Sequence, residues 1–218
     1  MLSVIGDHRV VRQTDLRRLL GRDGEPRSES AARLWLDRMS RAGLIHRARA
    51  GGATWVQLTA AGGQQVEIPS DPRRLSTWKA DHASTVLRLR LLLEARHPEA
   101  TWEAERYWRL RRKALQERVG KQASLHVPDG SLHWPDDNPV VAVEVELSRK
   151  HREDYPAIVR AYPDVAEAWW FCPPELAAWL EDALAKALEP RHGLMGAEEN
   201  PALSRPHRVV ELPPGVRP

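Results

Sequence analysis

The 218-residue sequence predicts an α+β fold in two parts. Three observations carry that expectation. Apolar residues at helical spacing lead into a Gly-Gly hairpin within the first 68 residues. A polar, Pro-bearing stretch follows at 69–80, PSDPRRLSTWKA. Residues 126–150, HVPDGSLHWPDDNPVVAVEVELSRK, then read as two strands joined by a tight loop. The expected domains are 1–75 and 76–218, the second a small mixed sheet flanked by helices.

Composition bounds the class. A hydrophobic content of 42% and a charged content of 29% fit a globular protein with its own core. The single cysteine, Cys172, excludes an internal disulfide and suits a reducing cytosol, so a cytoplasmic location is expected. No apolar run reaches transmembrane length, and no basic-then-apolar leader opens the sequence. Net charge is +3, but residues 1–75 hold 13 Lys+Arg against 8 Asp+Glu, and the remainder 20 against 22. A basic first third suits phosphate contact.

In chain order, a first helix is expected over much of 1–11. Thr14 is the expected cap of a second, with Leu16, Leu19 and Leu20 inward and Gly21 as its stop. Ser28 or Ser30 caps a third, where Ala32, Trp35, Leu36 and Met39 recur at helical spacing until Gly43. Residues 45–59 form a hairpin with Gly51-Gly52 at its tip, and residues 58–62, LTAAG, close the unit. Helix, helix, helix, hairpin is the order of a winged helix-turn-helix, and AGLIHR before the wing and LTAAG after it resemble many bacterial winged-helix proteins. In that class the third helix enters the major groove and the hairpin touches backbone or minor groove. Arg27, Ser30, Arg33 and Arg38 lie off the apolar stripe, and Arg47 and Arg49 sit on the wing. These six are the candidate DNA contacts, against the alternative that they form an ordinary solvated face of a protein-contact module.

Beyond the linker, Asp81 is the expected cap of a Leu-dense helix to about Arg96, and residues 101–108 a strand. Residues 106–121 interleave seven basic residues with Tyr107 and Trp108, as a nucleic-acid track or as an amphipathic connector. A helix opens at Asp154-Tyr155-Pro156 and runs to about Tyr162. Residues 166–171 form a buried strand, and Pro173-Pro174 lead into the helix ELAAWLEDALAKAL. Residues 189–206 are read as a loop and His207–Leu212 as an edge strand. Trp169, Trp170 and Trp179 are read as core, and His126 and His133 as strand-surface residues rather than ligands.

The stretch at 126–150 concentrates the chemistry. With residues 129–134 and 139–148 as strands and Pro135–Asn138 as the loop, Leu132 pairs with Val141 and Asp129 falls opposite Glu144. One face then carries Leu132, Trp134, Val141, Val143, Val145 and Leu147. The other carries Asp129, Ser131, His133, Ala142, Glu144, Glu146 and Ser148, with Lys150 next in phase. Directly opposed carboxylates have Cβ atoms about 5 Å apart and repel, so removing one is expected to leave the fold no less stable. A divalent cation such as Mg²⁺ would relieve that cost, and a Lys beside the pair could orient a water. The bland reading makes Asp129-Gly130 a turn dipeptide and leaves Glu144 and Glu146 on a wet face.

Pro128-Asp129-Gly130, then Glu144-Val145-Glu146 with a nearby Lys, resembles the core of the PD-(D/E)XK nucleases. With its N-terminal segment the chain resembles the replication-relaxation family of plasmids and other mobile elements. The resemblance implies a winged helix joined to a PD-(D/E)XK-like domain, with Asp129 and Glu144 as ligands of Mg²⁺ or Mn²⁺. It departs at Glu146, where Lys is expected; Lys150 would be a migrated lysine. Asp129, Glu144, Glu146 and Lys150 are therefore the candidate catalytic residues. The expected function is a metal-dependent DNA nuclease or nickase acting in replication or relaxation. The alternatives are a non-catalytic DNA-binding accessory or regulator and an assembly adaptor. The expected partners are double-stranded DNA, other replication or mobilisation proteins, and a second copy of the chain.

Overall fold

The computed structural model describes residues 1–21, 25–68, 76–119, 126–135, 140–161, 165–189 and 206–217. The chain is a mixed α+β protein of two compact units, Met1–Arg96 and His97–Arg217.

In the first unit, α1 (Leu2–His8) ends at Arg9, which takes a positive φ of 63°. The helix expected over much of 1–11 is there, and it stops at His8 because Val11 and Arg12 form a strand, β1, that pairs with Trp55 and Val56. Thr14 is not a cap. It lies in a 3₁₀ turn, Gln13–Asp15, that runs into the short α2 (Leu16–Leu19). Ser28 does cap α3 (Glu29–Arg41), accepting from the Ala31 amide at 3.3 Å. The stripe expected to face inward does so: Ala32 and Leu36 are buried, with Trp35 and Met39 packed beside them.

Strands β2 (Ile45–Ala50) and β3 (Ala53–Leu58) form the expected hairpin. Ala50 pairs with Ala53, so Gly51 and Gly52 are a two-residue turn with φ of 56° and 74°. Positive φ at both positions is what the right-handed twist of a two-residue hairpin requires, and glycine adopts it without a Cβ clash. The sheet order is β1-β3-β2. Thr59 then caps α4 (Ala60–Gln65), accepting from the Gly62 amide at 3.0 Å.

Helix α5 (Thr77–Arg96) starts before Asp81, which is therefore internal and not a cap. It belongs to the first unit, so the division follows Arg96, whereas the linker suggested one near residue 75. Two kinds of contact hold it there. Leu87 joins the core with Ile5, Val11, Leu16 and Leu36. Asp15, 3% exposed, accepts from Ser84 Oγ at 2.7 Å and Arg88 Nε at 2.9 Å. A buried carboxylate is tolerable only with such partners.

The second unit is a five-stranded mixed sheet in the order β4-β5-β6-β7-β8. Strands β4 (Thr101–Ala104), β5 (Gly130–His133) and β6 (Val141–Val145) are antiparallel neighbours. Strands β7 (Glu167–Cys172) and β8 (His207–Glu211) add in parallel. The expected strand over 101–108 stops at Ala104, and Glu105–Val119 form α6. A 3₁₀ turn, Arg152–Asp154, precedes α7 (Tyr155–Val159), and α8 (Pro174–Leu188) follows β7 with proline in its permitted first turn. The core joins Trp108, Ala142, Tyr155, Val159, Trp170, Leu180 and Leu184. A fully buried Val or Leu side chain of this core contributes on the order of 1.5–3 kcal/mol. Trp170 is core, as read from the sequence. Most of the loop expected at 189–206, and Asp136–Pro139 of the β5–β6 connection, lie outside the described residues.

Candidate carboxylate site

The register between β5 and β6 is the expected one. Leu132 pairs with Val141, Ser131 with Ala142 and Gly130 with Val143. The strand expected from 129 starts at Gly130, so Asp129 is a bend residue just before it, in phase with Glu144 but outside the ladder. The environment is not the expected one. The face carrying Ser131, Ala142, Glu144 and Glu146 is not wet: Ala142 belongs to the core beneath α7 and α8, and Glu144 and Glu146 are 2% and 4% exposed. Leu132, Val141, Val143 and Val145 on the opposite face are buried too. A strand buried on both faces cannot be assigned a dry and a wet side by alternation alone.

Asp129-Gly130 is no turn dipeptide either. Gly130 is the first residue of β5, paired to both Ala104 and Val143. A Cβ there would sit 2.0 Å from the Trp102 ring, so glycine lets an indole lie against the strand.

Each carboxylate has a specific partner. Asp129 Oδ2 accepts the Val145 backbone N–H at 2.8 Å. Glu144 Oε1 lies 2.9 Å from His126 Nε2. Glu146 Oε2 is 2.8 Å from Lys150 Nζ and accepts the Tyr155 hydroxyl at 3.2 Å. Lys150, four residues beyond Glu146, is thus brought back to the carboxylates.

The electrostatics follow. Burial works against the charge on Lys150, but the carboxylates of Glu146, Glu144 and Asp129 outweigh it and raise its pKa. Burial raises the Glu146 pKa, with Lys150 opposing. His126 is lifted above its ordinary value: burial would lower it, but the Glu144 charge and hydrogen bond prevail. Burial, then the Glu146 charge, push the Tyr155 hydroxyl well up, so it stays a hydrogen-bond donor. The carboxylates gathered here are those of Asp129, Glu144 and Glu146. Among the described residues, no group of three or more His, Cys, Asp or Glu side chains is arranged to hold a metal ion.

His126 and Tyr155 belong to this cluster, and sequence reasoning missed both. His126 precedes the paired region, so no alternation assigned it a side. Tyr155 was legible only as the opening of a helix. The further acidic residues of the region are engaged elsewhere: Glu103 with Arg111 and His133, Glu105 with Arg109, and Glu94 with Arg90. Ser131, His133 and Glu103 form a second polar run, but Ser131 and Glu103 both meet His133 at Nε2, and Ser131 is fully buried. That arrangement cannot relay a proton from an accessible nucleophile.

The six arginine and serine candidates of the first unit are all exposed. Arg27 Nε donates to the Leu20 carbonyl at 3.2 Å, a loop-holding contact. Ser30 Oγ lies 3.1 Å from Ser28 Oγ. Arg33 is 3.7 Å from Glu29 with both side chains largely in solvent, and Arg47 pairs with Asp37 at 3.2 Å. Arg38 lies on α3 and Arg49 on β2.

A scan against protein-family models finds no match, and searches of curated proteins and of solved structures find no relative. Among the described residues, no helix is long and apolar enough to cross a membrane.

Proposed function

We propose that the chain is a cytoplasmic DNA-binding protein of a plasmid or other mobile element, with a metal-dependent nuclease or nickase site on its second unit. The first unit would be a winged helix-turn-helix, presenting Arg33 and Arg38 on α3 and Arg49 on the hairpin to duplex DNA. The second would be a PD-(D/E)XK-like domain of replication-relaxation type. The observation that supports this reading is the gathering of carboxylates and a lysine at one place: Asp129, just before β5, accepts the amide of Val145 beside Glu144, and Lys150 Nζ stands 2.8 Å from Glu146.

The donor set suits Mg²⁺ or Mn²⁺, which need one or two protein carboxylates with phosphate and water oxygens, and it does not suit a closed His/Cys site. Asp129 and Glu144 would hold the ion, which supplies positive charge to the phosphate undergoing hydrolysis. Lys150 would orient the attacking water and steady the charge that develops on phosphorus oxygens. Glu146, standing where the resemblance expects lysine, would anchor Lys150 at 2.8 Å so that its ammonium reaches the same face.

A second reading is favoured by one observation. His126 on Glu144 and Lys150 on Glu146 partner the two buried carboxylates without any metal ion. That suits a non-catalytic DNA-binding accessory or regulator on a nuclease-like fold.

Plasmid cleavage separates the two. Purified protein should nick or cut supercoiled DNA with Mg²⁺ or Mn²⁺ and be silent in chelator. Asp129→Asn and Glu144→Gln should abolish cutting while duplex binding persists, and Lys150→Ala should slow it by roughly 10²–10³-fold. No cutting of supercoiled or single-stranded DNA, together with no divalent binding by calorimetry, would leave the non-catalytic reading.

A further inference from the structure

Two guanidinium groups lie over one indole next to the carboxylate cluster. Arg149 Cζ is 5.7 Å and Arg152 Cζ 5.6 Å from the Trp179 ring centroid. The two cations differ in one respect. Arg152 forms an ion pair with Asp182, which also takes Lys186 at 3.1 Å. Arg149, exposed and adjacent to Lys150, makes no hydrogen bond or ion pair among the described residues.

The platform beneath it is fixed. Trp179 meets the Tyr155 ring edge-on at 5.8 Å, and Tyr155 is fully buried with its hydroxyl on Glu146. Arg149 is thus coupled through Trp179 and Tyr155 to the carboxylate that holds Lys150. An arginine held over an aromatic face keeps its planar fork of N–H donors free at the edge, the geometry that takes a phosphate oxygen pair.

The charge balance calls for such a group. Among the described residues, the carboxylates of Asp129, Glu144 and Glu146 face the two cations Lys150 and His126. A phosphodiester approaching those carboxylates is repelled unless another cation meets it at the rim.

We infer that Arg149, stacked on Trp179, is a phosphate-binding site that positions the DNA backbone at the rim of the Asp129–Glu144–Lys150 cluster. The inference rests on the nucleic-acid reading above and names a positioning residue that the resemblance does not supply.

The test uses the full chain and a fluorescein-labelled duplex oligonucleotide in chelator, with affinity read by anisotropy across a salt series. Arg149→Ala should weaken binding several-fold and lower the salt slope by about 0.9, the contribution of one phosphate contact. Arg149→Lys should restore the slope, because the charge returns, while melting temperature stays unchanged in both variants. Wild-type binding that Arg149→Ala leaves unaltered in affinity and slope overturns the inference and spares the reading beneath it. Wild-type protein that binds no duplex overturns both. Metal-dependent cutting is measured separately, so an inactive protein that still shows the Arg149 slope fails as a nuclease and supports the phosphate site.

Discussion

Asp129 Oδ2 accepts the backbone N–H of Val145 at 2.8 Å, so a side chain takes over where the β5–β6 ladder ends. The carboxylate proposed to hold a cation thereby also closes the sheet. Cross-strand repulsion alone predicts that removing one of these carboxylates leaves the fold no less stable. The Val145 contact predicts the opposite sign for Asp129, because its charge is matched to a backbone donor.

Asp129→Ala should therefore destabilise the second unit by about 1.5–3 kcal/mol, the range for a hydrogen bond to a charged group. Asp129→Asn, which keeps an oxygen acceptor, should cost less. Urea unfolding in chelator reads both. An Asp129→Ala protein as stable as wild type would mean that the contact contributes nothing.

The arginines of the first unit should divide into two kinds. Arg33 and Arg38 are exposed on α3 and hold no loop, so replacing both with Ala should weaken duplex binding and reduce the salt slope by roughly one unit per lost phosphate contact. Arg27 donates to the Leu20 carbonyl, and Arg17 donates to the Arg27 carbonyl at 2.8 Å. Arg27→Ala should show its effect first in thermal stability. Equal salt slopes for wild type and Arg33→Ala/Arg38→Ala would move this unit into the protein-contact class.

His8 supplies a pH dependence. It is buried, its Nε2 has no hydrogen-bond partner, and burial with the nearby Arg90 charge lowers its pKa from 6.5 to about 3. The unfolded chain takes up a proton near pH 6.5 and the folded chain does not. His8 therefore contributes full stability above pH 6.5, and that contribution drains away as pH falls towards 3, by at most on the order of 5 kcal/mol. His8→Leu should flatten this part of the profile and become the more stable of the two in acid. Parallel unfolding profiles for the two proteins between pH 7 and 4 would exclude His8 as the cause.

Much of the first unit was legible because its signals are local. Ser28 before a helical stripe and Gly51-Gly52 between short strands each specify a backbone geometry by their own chemistry. The β5–β6 register was legible for the same reason, since an even spacing across a short loop fixes which residues oppose. What stayed hidden depends on distant partners. Asp15 gave no sign that it would meet Ser84 and Arg88, and nothing in α5 assigned it to the first unit. Alternation on β6 separated the valines from the glutamates correctly but could not reveal that α7 and α8 bury the glutamate side. His126 and Tyr155 joined the site through the chain's return in space, which no periodicity encodes.

Strand β8 lies parallel to β7 and comes after α8 in the chain. During synthesis, β6 and β7 therefore leave the ribosome with the far side of β7 unpaired, and that side stays open until residues 207–211 emerge. Trp170 and Phe171 sit on the waiting strand, flanked by unsatisfied amides and carbonyls. Nascent chains of this protein pass through an interval in which a neighbouring chain's strand can take β8's place, so pairing errors between polysomal neighbours should concentrate at this edge.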